Sequence, residues 1–250
     1  MIFSPYDNTS CGDESIGFLV FAISLFPIIL PSATIQPFNV GYASSALKTG
    51  GTMLTPQFLN IGENTDIPLQ SIVAVGDDAS DNVQIQTLDA YGRTVDAYDW
   101  NDWANDAPCW VDSDWNPIEG VVVVPGQGLW VMGSATTQGL QSSGQVGADD
   151  LLVALRSGGS IIGNPFPVTL DLQDVIAEGE DASDNVQIQT LDAYGRTVDA
   201  YDWNDWANDS ACWVDSDWNP IEGVTLAPGQ GLWVMGSNVN QYLRFPAPEL

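Results

Sequence analysis

Residues 78 to 134 recur at 181 to 237 with five substitutions, Ala107/Ser210, Pro108/Ala211, Val122/Thr225, Val123/Leu226 and Val124/Ala227, and every tryptophan lies in one copy or the other. A chain that writes one block twice builds one structural unit twice, so its fold has to divide into two like parts. A copy of roughly 100 residues matches a small β-sandwich and can bury a real core. Upstream of the block the likeness persists as pattern: NVGYASSALKTGGTMLTPQF, from Asn39, is echoed by QVGADDLLVALRSGGSIIGNPF, from Gln145.

Hydrophobic period fixes the element type. Leu151, Val153 and Leu155 alternate with Leu152, Ala154 and Arg156 before Ser157, Gly158 and Gly159 interrupt the run, so each copy is expected to open with a hairpin. IPLQSIV and LDLQDVI space Leu69, Ile72 and Val73, and Leu172, Val175 and Ile176, as one short helical turn. Val83 and Ile85 alternate with Gln84 and Gln86, Tyr91-Gly92 reverses the chain, and TVDAYDW returns as a hairpin with one wet face. A Pro125-Gly126 turn between residues 121–124 and 129–132 predicts a final hairpin. There, Val121/Val224 and Val123/Leu226 stay bulky while Val122/Thr225 and Val124/Ala227 take a hydroxyl or a small group, so the first set points to the core. Leu129, Trp130, Val131 and Met132 are apolar on both faces, as in a strand covered on both sides or lying where the copies meet. The expected fold is all-β: two tandem, similar antiparallel β-sandwich repeats of six to eight short strands each, at residues 37–147 and 148–250, after an apolar N-terminal leader at 1–36.

Within that leader, IGFLVFAISLFPIIL (16–30) is short for a membrane span and suits the apolar region of a signal peptide. Asp7, Asp13 and Glu14 stand where such signals carry bases, so three readings stay open: a removed export signal, a retained anchor, or an incidental tail. The first two place the repeats outside the cytoplasm, at the cell surface or beyond it.

Net charge is −28, from 33 acidic residues against Lys48, Arg93, Arg156, Arg196 and Arg244. Five bases cannot line a phosphate track, which argues against nucleic acid and anionic membrane surfaces as partners. The absence of histidine removes imidazole bases, imidazole metal ligands and Ser/His or Cys/His nucleophile pairs. Cys11 lies in the leader, and Cys109 and Cys212 occupy the same position of each copy without a Cys-x-x-Cys spacing. They are a possible disulfide if the equivalent sites face one another; the plainer reading is a small buried thiol in each strand.

The succession GNPFP (163–167), a short LDLQDV turn, a Trp/Asp-rich middle and PGQGLWV (125–131 and 228–234) resembles secreted bacterial tandem β-sandwich repeat proteins in which a GNP-Y/F-P strand end is followed by GQG-F/L-W-V. The first copy has TPQF (55–58) in place of GNPF. The resemblance implies an exported surface protein and transfers no catalytic residue.

The chemistry-bearing residues gather at 96–119 and its copy. Asp112, Asp114, Asn116 and Glu119, with Asp215, Asp217, Asn219 and Glu222, place oxygen atoms at near-alternate loop positions, a candidate Ca2+ set; Pro117 at the sixth position excludes an EF-hand. The alternative is turn residues bonding their own backbone. Trp100, Trp103 and Trp115, with Trp203, Trp206 and Trp218, are candidate glycan-binding rings beside amides and carboxylates, against the alternative of core plugs. Two copies would make the binder bivalent. A glycosidase carboxylate pair is a further option that nothing in the loop singles out. The reading that follows is an exported, non-enzymatic surface or extracellular-matrix module with a Trp/Asp/Asn loop as ligand or calcium face. Its alternatives are a carbohydrate-active enzyme and a self-assembling structural surface protein.

Overall fold

Ten short strands form in the first half of the chain: β1 (Val40–Ala46), β2 (Gly50–Leu54), β3 (Ile67–Pro68), β4 (Val73–Val75), β5 (Gln84–Leu88), β6 (Thr94–Asn101), β7 (Cys109–Val111), β8 (Val122–Val123), β9 (Leu129–Gly133) and β10 (Gly139–Gln145). Ten more follow: β11 (Leu151–Ala154), β12 (Gly158–Gly163), β13 (Leu170–Asp171), β14 (Ile176–Gly179), β15 (Gln187–Leu191), β16 (Thr197–Asn204), β17 (Cys212–Val214), β18 (Thr225–Leu226), β19 (Gly231–Gly236) and β20 (Gln241–Phe245). This computed structural model describes residues 40–59, 66–103, 107–134, 137–206, 210–237 and 240–248. The leader, Cys11 and Asp106 lie outside the described residues. Among those described, helix is confined to single turns, so the fold is all-β, and no helix is long and apolar enough to cross a membrane.

Strand order is the same in both halves. A five-stranded sheet runs β2-β9-β5-β6-β7, with β12-β19-β15-β16-β17 as its counterpart. Three-stranded sheets run β1-β10-β4 and β11-β20-β14, and β3-β8 and β13-β18 make short ribbons. The pairings between these strands are antiparallel.

Two expected hairpins are not formed. β1 pairs with β10 while β2 pairs with β9, so consecutive strands enter different sheets. Gly50, at φ 95, takes the left-handed backbone that lets the chain change layer after the buried Leu47. Likewise β8 pairs with β3 rather than with β9. Alternation of apolar residues records which face is buried, and that is the same whether the partner strand is adjacent in sequence or a hundred residues away. The β5–β6 hairpin forms as expected. The helical turn at 69–73 is a 3-10 turn over Leu69–Ser71; Leu69 and Ile72 are buried, whereas Val73, already in β4, is exposed.

Each half packs its own core. One cluster joins Leu69, Ile72, Val83, Ile85, Trp100, Trp110, Leu129 and Val131 with their neighbours. The other joins Leu172, Val175, Val186, Ile188, Trp203, Trp213, Leu232 and Val234 in the same way. Val123 is buried between exposed Val122 and Val124, as the substitution pattern predicts.

Residues Phe38–Leu250 nevertheless form one compact unit, because the halves are sewn together through backbone. The Gly51 N–H donates to the Ala193 carbonyl at 2.9 Å and the Gly159 N–H to the Ala90 carbonyl at 2.8 Å. Gly51 lies opposite Met132 and Gly159 opposite Met235, so the two are equivalent and the contact is made once in each direction. Leu54 bridges to Gln230 as Ile162 does to Gln127. Such reciprocity is the signature of an isologous, two-fold interface, here inside one chain. Trp130 sits at this junction, half-buried, with its ring over Gly51 and its edge near Gly195 of the other half. Of the two positions open to an all-apolar strand, the meeting point of the copies is the one it occupies.

Candidate functional site

The Trp/Asp loop leaves β6 at Asn101 and re-enters the sheet at β7. Its geometry divides the tryptophans into two kinds. Trp110 is fully buried and Trp100 is 5% exposed; their rings meet edge-on with centroids 5.1 Å apart. The Trp110 indole N–H donates to the Ile72 carbonyl at 2.6 Å, the partner that a buried indole requires. Trp203 and Trp213 repeat the arrangement at 5.1 Å. Trp100 and Trp203 are therefore core residues, a correction to their reading as binding rings: they end strands β6 and β16 on the side that faces the core.

Trp103 and Trp115 are 64% and 52% exposed and lean on one another at 5.5 Å, tilted by 47°. Trp206 and Trp218 form the same surface pair at 5.5 Å. Trp115 and Trp218 take left-handed φ values of 64 and 65, a conformation uncommon for a bulky side chain. What holds them there is Asp112. Its Oδ1 accepts the backbone N–H groups of Asp114 at 2.9 Å and Asn116 at 3.0 Å, and the Trp115 N–H donates to the Asp112 carbonyl at 3.0 Å. Asp215 does the same for Asp217 and Asn219. The loop carboxylate thus works as a turn-former that presents an indole.

This geometry also bears on the candidate calcium ligands. Among the described residues no three Cys, Asp or Glu side chains lie close enough to share a cation. Asp112, Asp114 and Glu119 are not brought together, nor are Asp215, Asp217 and Glu222, because the turn directs the first carboxylate inward onto its own amides while Asp114, Asn116 and Glu119 face solvent. The disulfide is not formed either: Cys109 and Cys212 are free, half-buried thiols. They lie in β7 and β17, the strands farthest from β2 and β12 in each five-stranded sheet. Four strand spacings of about 4.8 Å separate those edges, whereas a bridge needs Cα atoms within about 7 Å.

The β5–β6 turn is ordered by a second carboxylate. Asp89 Oδ1 accepts the N–H groups of Tyr91 and Arg93 at 2.8 and 2.9 Å, and Oδ2 takes the Arg93 guanidinium at 2.8 Å. The Arg93 backbone N–H, then the Tyr91 N–H and the Arg93 side chain, hold the Asp89 carboxyl below its ordinary value. At Asp192 the Arg196 side chain leads, followed by its backbone N–H. A depressed pKa stabilises the fold above the ordinary aspartate value, and the effect is lost as pH falls through the folded value. An acid titration of the Tyr91 and Arg93 amide resonances should therefore show midpoints below the ordinary aspartate range; midpoints at or above it would contradict the bonding.

No family model, curated protein or solved structure matches the chain.

Several of the residues that build the site are amides that pattern reading passes over. The Gln70 side chain pairs with the outer edge of β7, accepting the Trp110 N–H at 2.9 Å and donating to the Trp110 and Ile118 carbonyls at 2.8 and 3.1 Å. Gln173 repeats this at Trp213 and Ile221. Gln138, 1% exposed, accepts the Ser134 N–H at 2.8 Å and donates to the Asp77 carbonyl at 3.0 Å. A signal exists in the sequence: Leu69-Gln70 and Leu172-Gln173 stay the same while Pro68/Asp171 and Ser71/Asp174 change around them, and Gln138/Gln241 persist between Thr137/Asn240 and Gly139/Tyr242.

Proposed function

We infer that the chain is an exported, non-enzymatic module of the cell surface or extracellular matrix, made of two copies of one β-sandwich at residues 37–147 and 148–250 after a leader at 1–36, and that it binds glycans through two tryptophan surfaces. The observation that carries this reading is the paired exposure of Trp103 with Trp115 and of Trp206 with Trp218, each pair including an indole held in left-handed backbone by an aspartate turn. Two indoles tilted against one another offer broad apolar faces to the C–H groups of a sugar ring, and neighbouring Asp114, Asn116 and Glu119 supply acceptors and an amide for hydroxyls. Two such surfaces on one compact unit give the avidity of a bivalent ligand, which favours a polymer displayed at high density. Acidity suits a neutral or cationic polysaccharide and disfavours an anionic one.

Co-sedimentation of the protein with insoluble neutral polysaccharides tests the reading. Retention should fall at least ten-fold in the Trp103→Ala/Trp206→Ala variant and less in either single variant. Failure of the wild-type chain to be retained by any neutral polymer, or equal retention of the double variant, contradicts it.

A further inference from the structure

The two β-hairpin turns and the two Trp130-type rings leave a cleft of about 410 Å3 across the seam between the halves, and both halves supply the same residues to it. Trp130 and Trp233, Tyr91 and Tyr194, Gln86 and Gln189 face it in matched pairs. Among the described residues no carboxylate, lysine or arginine lines it, although the chain carries 33 acidic residues and a net charge of −28. An uncharged concavity in such a protein is a chemical choice that charge repulsion alone does not explain. By contrast, the two larger grooves, of about 750 and 720 Å3, are lined in part by charged groups, Asp89, Asp96 and Arg156 in one and Lys48 in the other.

The walls are built to hold still. An added Cβ at Gly51 or Gly159 would fall inside the ring of Trp130 or Trp233, so both glycines exist with the indole laid flat upon them. The Trp130 indole N–H donates to the Met132 sulfur at 3.0 Å. Tyr91 and Tyr194, each 82% exposed at the rim, lie under the guanidinium groups of Arg93 and Arg196 at 5.2 and 5.3 Å, and those charges are neutralised by Asp89 and Asp192. Gln86 is oriented from both ends: its Oε1 accepts the Thr94 hydroxyl at 2.9 Å and its Nε2 donates to Gln84 Oε1 at 2.6 Å. One amide N–H and one lone pair remain to it; Gln189 is fixed by Thr197 and Gln187 in the same way and also donates to the Met235 sulfur at 3.3 Å, so it keeps one lone pair to accept a hydroxyl.

We propose that this seam is a binding site for a short neutral oligosaccharide, one per chain, with Trp130 and Trp233 as ring platforms and Gln86 and Gln189 as hydroxyl partners. Fixed indole faces with oriented amides between them, and charges confined among the described residues to the paired Arg–Asp groups outside the rim, match uncharged polyols: C–H groups rest on the rings and hydroxyls exchange hydrogen bonds with the amides. Each half contributes one wall, so neither half holds the site alone. It is separate from the Trp103 and Trp115 surface and stands without it.

Calorimetric titration of the full chain carrying Trp103→Ala/Trp206→Ala distinguishes the two. The probes are di- to tetrasaccharides of β-1,4-glucan, β-1,3-glucan and α-1,4-glucan, with an oligogalacturonide as charged control. The expected result is one ligand per chain for at least one neutral probe, weakened at least ten-fold when Tyr91→Ala/Tyr194→Ala is added, with the far-ultraviolet circular dichroism unchanged. Loss of all oligosaccharide binding in the Trp103→Ala/Trp206→Ala chain, a stoichiometry of two, indifference to the tyrosine changes or preference for the charged control overturns the seam site. Wild-type retention on polysaccharide without a seam signal would leave the surface pairs standing alone, and the converse result would leave the seam alone.

Discussion

Replacing Trp110 by alanine should cost the first half of the chain about 3–5 kcal/mol, the usual range for truncating a buried aromatic. The residue is fully buried and packs edge-on against Trp100 at 5.1 Å. Its indole N–H is also the partner of the Ile72 carbonyl, which truncation would leave unsatisfied inside the core. Domains of this size are stable by only about 5–15 kcal/mol, so the loss should bring the first half close to unfolding, while the second retains its own core around Trp213 and loses only the contacts it makes across the seam. Urea denaturation followed by fluorescence should then separate into two transitions, and Trp213→Ala should produce the mirror result. A single unchanged transition for Trp110→Ala would mean that this ring carries no packing.

Gly51→Ala should have the next largest effect, a destabilisation of about 1–3 kcal/mol by overpacking. An added methyl would occupy the space of the Trp130 ring, whose rigid bicycle cannot be folded away like the end of a flexible chain. Lifting Trp130 also moves it off Gly195 in the other half. The damage therefore reaches the junction as well as the strand, and Gly159→Ala should repeat it through Trp233. Thermal melting of each variant checks the cost. A melting temperature equal to that of the wild type would show that the ring does not lie on the glycine.

Legibility of this fold depended on whether a feature is written in face preference or in partner choice. The hairpin of Val83 and Ile85 with Tyr98 and Trp100 was readable because a short turn at Gly92 leaves the returning strand only one neighbour. The core direction of Val123 was readable because substitutions report burial directly, whereas the doubly apolar run at Trp130 fits a strand covered on both sides as well as a meeting point of the copies, and only the fold places its ring against Gly195 of the other half. Partner choice was not: β1 and β2 alternate as hairpin strands would, yet each crosses to a strand from the end of its half. The site was legible as a segment but not in its division of labour. Trp100 and Trp103 sit three residues apart in the same composition, and only the end of strand β6 decides that the first plugs the core while the second faces water. The spacing of Asp112, Asp114, Asn116 and Glu119 suits a cation and an aspartate turn equally well, and backbone amides won the first carboxylate.

The most direct measurement is residue-resolved amide hydrogen exchange on the wild-type chain. Gly51, Thr55, Gly128, Gly159 and Gly163 donate to carbonyls across the seam, to Ala193, Gly229, Ile161, Ala90 and Gly126 respectively. If the halves are joined as described, these five amides exchange slowly, at rates comparable to those of Ile85 and Ile188 in the cores. Were the halves separate beads on a string, the same amides would lie on free sheet edges and exchange at rates near those of an unfolded chain, and that result would contradict the account.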